Sequence, residues 1–132
     1  MKGAAVMNLR IFPEKPTFIP DPNDVKENKY LCILSYLSIL FIIPLIAKPD
    51  SKYVKYHSNQ GLILFIFEIA VGFITSLLSF VFGIVHLGFI AFPVNFALHI
   101  AILLLMIYGI LSTCSGYIRP LPIIGDLFVA IK

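Results

Sequence analysis

Glu68 is the residue whose type and position best suit it to do chemistry in this chain. It is the only formal charge between positions 61 and 118, and His86 and His99 share that apolar stretch with it. A carboxyl group and imidazoles inside an apolar run are the groups that relay protons or bind solutes within a bilayer. An ionised carboxylate at mid-membrane costs about 2.5–3.5 kcal/mol even on lenient insertion scales. Glu68 is therefore expected to face other helices, to be protonated, or to meet a donor. Tyr108 is the best candidate donor if the helices carrying the two residues are antiparallel. His99 would lie about 10 Å away along the membrane normal, at about 1.5 Å of rise per residue, so a direct pair needs tilt or a water. Upstream, "KYHSNQG" sets His57, Asn59 and Gln60 just before the apolar run. These polar residues admit a second reading, as hydrogen bonds that tie helices together, and that structural reading is preferred. For His57, Asn59 and Gln60 it means headgroup contacts, with Asn59 as the cap of the following span.

Other chemistries find no support. No GxSxG, HExxH, P-loop or GxGxxG pattern occurs, so an enzyme is not expected. Cys32 and Cys114 fall in or beside apolar runs, outside any Cys/His metal spacing. They are read as small packing residues, and neither metal nor cofactor is expected. The basic residues do not form a stripe among stacking aromatics, which argues against nucleic-acid binding.

The elements that must position these residues follow from hydropathy. The chain has 132 residues, 59% hydrophobic and 13% charged, with a mean hydropathy of +0.95. Soluble domains are nearer half apolar and a quarter charged, so lipid is the expected solvent. The reading is an all-α, polytopic transmembrane helix bundle in a bacterial or archaeal plasma membrane. Residues 1–22 form a flexible proline-rich tail rather than a signal peptide, and Asn23 or Asp24 caps the helix that follows. Residues 23–132 form the membrane domain. Three full spans are expected, at about 30–47, 61–82 and 94–113. A short or re-entrant hydrophobic element covers 83–93. Segments 50–60 and 117–132 lie in the interface, with Lys52, Lys55, Arg119 and Lys132 among headgroups.

On the second span, His57, Gly61, Leu64, Glu68, Gly72, Thr75 or Ser76, Ser79 and Gly83 share roughly one helical face. Gly61, Gly72, Ser76 and, on the third span, Gly109 are expected to let helices approach closely. Sidedness stays open. Near the membrane ends, lysines and arginines number three before the first span, three at 48–60, none near 83–95 and two after the last span. The bias reverses between three and four crossings.

The stretch from "LSYLSILFIIPLIAKPDSKYVKYHSNQGLILFIFEI", with Pro44, Asp50, Ser51, Tyr53, Lys55, Tyr56, His57, Asn59, Gln60, Gly61 and Glu68, resembles a family of small bacterial and archaeal membrane proteins. That family is grouped with the twenty-kilodalton membrane subunit of the chloroplast inner-envelope import translocon, a Tic twenty-like family. "PLPIIG", at Pro120, Leu121, Pro122, Ile124 and Gly125, fits the same pattern. The resemblance implies helical membrane proteins and an association with protein import. The expected function is a non-enzymatic helix bundle acting through membrane protein partners or copies of itself, in peptide or protein transport or in envelope protection. The alternative is a small-solute or proton-coupled carrier built on Glu68 and the histidines.

Overall fold

The computed structural model describes residues 18–126 and 131. Most of the proline-rich tail and part of the expected C-terminal surface segment lie outside them. The described residues form helices and turns, with no strand among them. In chain order they are α1 (Pro22–Asn28), two 3-10 helices (Leu31–Tyr36 and Ser38–Phe41), α2 (Ile42–Ala47), α3 (Lys52–Ile84) and α4 (Gly88–Cys114).

α1 starts at Asp21, two residues earlier than Asn23. Its side chain accepts from the Asn23 amide, and Pro22 follows at the first helical position, where a missing N–H costs nothing. Asp24 is thereby released for contacts elsewhere.

The first expected span differs most from the sequence reading. Residues 30–47 are broken at Leu37 (ψ 67°) and Ser38 (φ 59°, in the left-handed region). α2 then packs back against the first 3-10 helix. Pro44 lacks an N–H and the neighbouring isoleucines are stiff, which weakens a continuous helix here. Burial decides the matter, because Cys32, Ser35 and Tyr36 are seated in the interior and hold the chain in a tight turn.

α3 runs unbroken through what sequence divided into an interfacial piece and a span. Ser51 caps it, its hydroxyl accepting from the Val54 amide at 3.0 Å. At about 1.5 Å per residue its 33 residues reach about 50 Å, well beyond a core of about 30 Å. Its polar first turns, residues 52–60, therefore stand outside the apolar stretch that begins at Gly61. The expected short element at 83–93 is not separate. Gly83 and Ile84 finish α3, residues 85–87 turn, and Gly88 opens α4. Pro93 sits inside α4, one turn from its start, and forfeits a single backbone bond there. The C-terminus of α4 is a Schellman motif. Gly116 adopts φ 79°, its amide reaches Thr113 O, and the Tyr117 amide reaches Ser112 O.

α3 and α4 are thus an antiparallel hairpin, and both are long and apolar enough to cross a membrane. Two such helices are seen among the described residues, where three spans were expected. The interior lies at one end of the hairpin. Tyr36, Ile63, Leu64, Leu121 and Ile124 form one buried cluster, and Cys32, Tyr53 and Val54 another. Beyond this base the hairpin is largely bare: Phe73, Phe89 and Phe92 are each about 70% exposed.

Candidate functional site

The polar residues of the "KYHSNQG" segment turn inward rather than toward headgroups. His57, Ser58, Asn59 and Gln60 are all buried on the first turns of α3. A helix can hide that many polar side chains only if other segments surround it and supply partners, and here they do.

His57 is the centre. Its Nε2 lies 3.0 Å from the Tyr117 carbonyl oxygen, and its Nδ1 lies 2.6 Å from the Tyr36 hydroxyl. A carbonyl only accepts, so Nε2 carries the proton, Nδ1 accepts, and Tyr36 donates. The ring is the neutral tautomer, held from both sides. Tyr53, Tyr56 and Tyr36 stand edge-on around it, with ring centroids 4.6, 5.4 and 5.6 Å away. Burial pushes the imidazole's pKa down to about 4, against the smaller opposing effect of its bond to Tyr117.

Three further ties radiate from α3. Gln60 Nε2 donates to the Gly125 carbonyl at 2.8 Å, and Gln60 Oε1 accepts from the Leu121 amide at 2.9 Å. This amide clamp holds the "PLPIIG" turn against the helix. Asn59 Oδ1 accepts from the Ile131 amide. Asn59 is therefore buried within α3, and the cap is Ser51. Tyr53 donates to the Thr113 carbonyl at 2.8 Å, while the Thr113 hydroxyl donates to the Lys29 carbonyl. At the front, Asp24 accepts from the Ser51 hydroxyl and from the Tyr53 amide. α1, the 3-10 region, the end of α4 and the C-terminal turn are all fastened to three turns of α3.

Glycines make this closeness possible. A Cβ on Gly61 would lie 1.7 Å from the Ser35 carbonyl oxygen, and one on Gly109 would lie 2.2 Å from the Tyr36 ring. Gly72, by contrast, has nothing within 4 Å of where its Cβ would be, and Ser76 is exposed.

The intramembrane residues are dispersed. Glu68 is half-buried, and its Oε2 has no hydrogen-bond partner. His99 Nδ1 donates to the Asn95 carbonyl of its own helix at 2.8 Å. Asn95 Nδ2 donates to Ser79 Oγ at 2.7 Å, a polar tie between the two long helices within the apolar stretch. His86 sits in the turn with φ 60°. Tyr108 is partly buried beside the base cluster. Sequence reasoning passed over Tyr36, Thr113, Tyr117 and Asp24 as partners. The available signal was the run of consecutive polar residues, which occupies every face of its helix and so cannot all point to water.

Each polar atom of His57 and Gln60 is engaged within the fold. Comparison with known proteins agrees with a small membrane protein. The magnetosome protein MamF of Paramagnetospirillum magneticum is 31% identical over 101 residues, covering 74% of this chain and 78% of that protein.

The chain belongs to the MamF family.

A second MamF, from Magnetospirillum gryphiswaldense, is 28% identical over 100 residues, covering 74% of this chain and 78% of that protein. The magnetosome protein MmsF of P. magneticum is 31% identical over 65 residues, 47% of this chain and 61% of that protein. No family model matches, and no solved structure matches. Membership of the MamF family overturns the resemblance to the chloroplast translocon subunit, and the association with protein import falls with it. The physical reason is visible in the hub. The residues that carried the resemblance, His57, Asn59, Gln60, Gly61 and the 120–125 turn, hold this fold together, so their pattern reports packing rather than an import activity.

Proposed function

We propose that this MamF-family chain is a non-enzymatic structural membrane protein. Its base holds an apolar hairpin in the bilayer, where the hairpin meets lipid and membrane protein partners, including copies of itself. Its membrane is proposed to be an internal membrane of the magnetosome type, by analogy with what its relatives are named for. The observation that carries this reading is the division of the molecule. Polar side chains are spent inside the base, while the outer surface of α3 and α4 is almost wholly apolar, with Phe73, Phe80, Phe89, Phe92 and Phe96 exposed. A helix apolar on all sides needs lipid or other helices around it.

The carrier reading draws on Glu68, whose Oε2 is buried and unpartnered. It needs an adjacent relay, and His99 is instead bonded to its own helix. A photocrosslinking amino acid at Phe80 or Phe92 in the full-length chain, expressed in native membranes, tests the preferred reading. Crosslinks to a second copy or to another membrane protein are expected. Crosslinks to lipid alone, together with proteoliposome transport abolished by Glu68→Gln, would favour the carrier.

A further inference from the structure

The structure resolves a question that charge counting left open, because it fixes which basic residues lie at which end of the hairpin. Lys26, Lys29, Lys48, Lys52, Lys55 and Arg119 all belong to the base segments, on α1, around the start of α3, or just past the end of α4. Lys2, Arg10, Lys15 and Lys132 also stand outside the hairpin in sequence. The opposite end, residues 83–93, holds no lysine or arginine. Residues 30–47 do not redistribute these charges across the membrane. They are broken at Leu37 and Ser38 and fold back on themselves, and Lys29 before them and Lys48 after them both adjoin the base. The hydrogen bonds agree. Thr113 at the end of α4 reaches Lys29, while Asp24 ahead of that segment reaches Ser51 beyond it. Both flanks of 30–47 are therefore bonded to the same end of the hairpin.

Short flanking segments rich in lysine and arginine stay on the cytoplasmic side of a membrane. From residue 61 to the turn, α3 is about 36 Å long at about 1.5 Å per residue, enough to cross a core of about 30 Å.

We infer that the chain crosses its membrane twice, as a helical hairpin inserted from the cytoplasmic face. The base, both flanks of residues 30–47 and the 120–125 turn lie on that face, and only the turn at 85–87 emerges on the other. In an internal vesicle that far side is the lumen. Residues 30–47 form an apolar wedge in the near leaflet, with Ile39, Ile43 and Ile46 exposed to it. The inference rests on the membrane reading above but not on any partner.

The test uses the full chain expressed in a bacterial inner membrane, with Cys32 and Cys114 replaced by alanine. Val85→Cys and Asp50→Cys place single thiols at the two ends, both at exposed positions. A membrane-impermeant maleimide is expected to label Val85→Cys in spheroplasts and Asp50→Cys only in inverted vesicles. A fluorescent protein fused to the C-terminus of the unmodified chain, which needs no substitution to fold, is expected to fluoresce. Labelling of Asp50→Cys in spheroplasts would overturn the sidedness. A third single thiol, Glu27→Cys, exposed on α1 ahead of residues 30–47, is expected to be labelled only in inverted vesicles. Its labelling in spheroplasts while position 50 stays cytoplasmic would make 30–47 a crossing and overturn the two-crossing count. A dark C-terminal fusion alongside a cytoplasmic position 50 would overturn it as well. Recovery of the chain in the soluble fraction would overturn the membrane reading itself, an outcome distinct from both.

Discussion

At the scale of single residues, His57 shows how a polar side chain can be a structural part. Its neutral ring accepts from Tyr36 and donates to Tyr117 inside a cage of tyrosines. In the unfolded chain its pKa returns to about 6.5, while burial holds it near 4 in the fold. Between those values the unfolded chain binds more protons than the folded one. Stability from this site is thus complete above about pH 6.5 and lost as pH falls toward 4, by up to about 3 kcal/mol. The thermal midpoint of the detergent-solubilised protein should fall across that window. His57→Phe should flatten the acid limb and lower the midpoint at neutral pH, because the Tyr36 hydroxyl and Tyr117 carbonyl each lose a partner at about 1–3 kcal/mol. An unchanged acid limb in that variant would show that another group sets it. Glu68 is a contrasting case. Its Oε2 is buried without a hydrogen-bond partner.

At the scale of elements, the decisive contacts are backbone approaches that side chains would prevent. Gly61 lets α3 press on the Ser35 carbonyl, and Gly109 leaves room on α4 for the Tyr36 ring. Gly61→Ala should lower stability by about 1–3 kcal/mol or abolish folding, since the added methyl meets backbone that cannot swing aside. Gly72→Ala should be neutral or stabilising by up to about 1 kcal/mol, since its surroundings are open and alanine favours helix. Thermal melts of the two variants in one detergent compare them directly, and equal losses would contradict the assigned packing. Both glycines were legible in sequence as small residues on a helical face. Which of them touches anything was not, because periodicity places a residue on a face without saying what stands opposite. The break in residues 30–47 was hidden for a similar reason. Their apolarity suits a span or a folded wedge equally, and the choice rests on Tyr36 and Cys32 being drawn into the base.

At the scale of the whole molecule, the chain is a polar-cored base carrying an apolar hairpin. The exposed face of that hairpin should tolerate charge poorly. Phe73→Lys combined with Leu104→Lys places two cations on exposed mid-hairpin positions, each costing about 2.5–3.5 kcal/mol. The double variant should shift out of the membrane pellet or degrade. Ile19→Lys, at a position 91% exposed ahead of α1, should partition as the unmodified chain does. Retention of the double variant in carbonate-washed membranes would sink the hairpin as the membrane anchor.

Sequence alone determined the solvent and the class: apolar runs at helical length, with charge confined to their flanks, leave helices in lipid as the economical solution. It also singled out His57, Asn59, Gln60 and Gly61, which the fold buries. It could not decide what they do, how often the chain crosses, or which end is which. Those depend on contacts between segments far apart in the chain, such as α3 with the turn at 120–125 and α1 with Ser51. A hydrogen bond to a distant partner leaves no periodic trace along the chain.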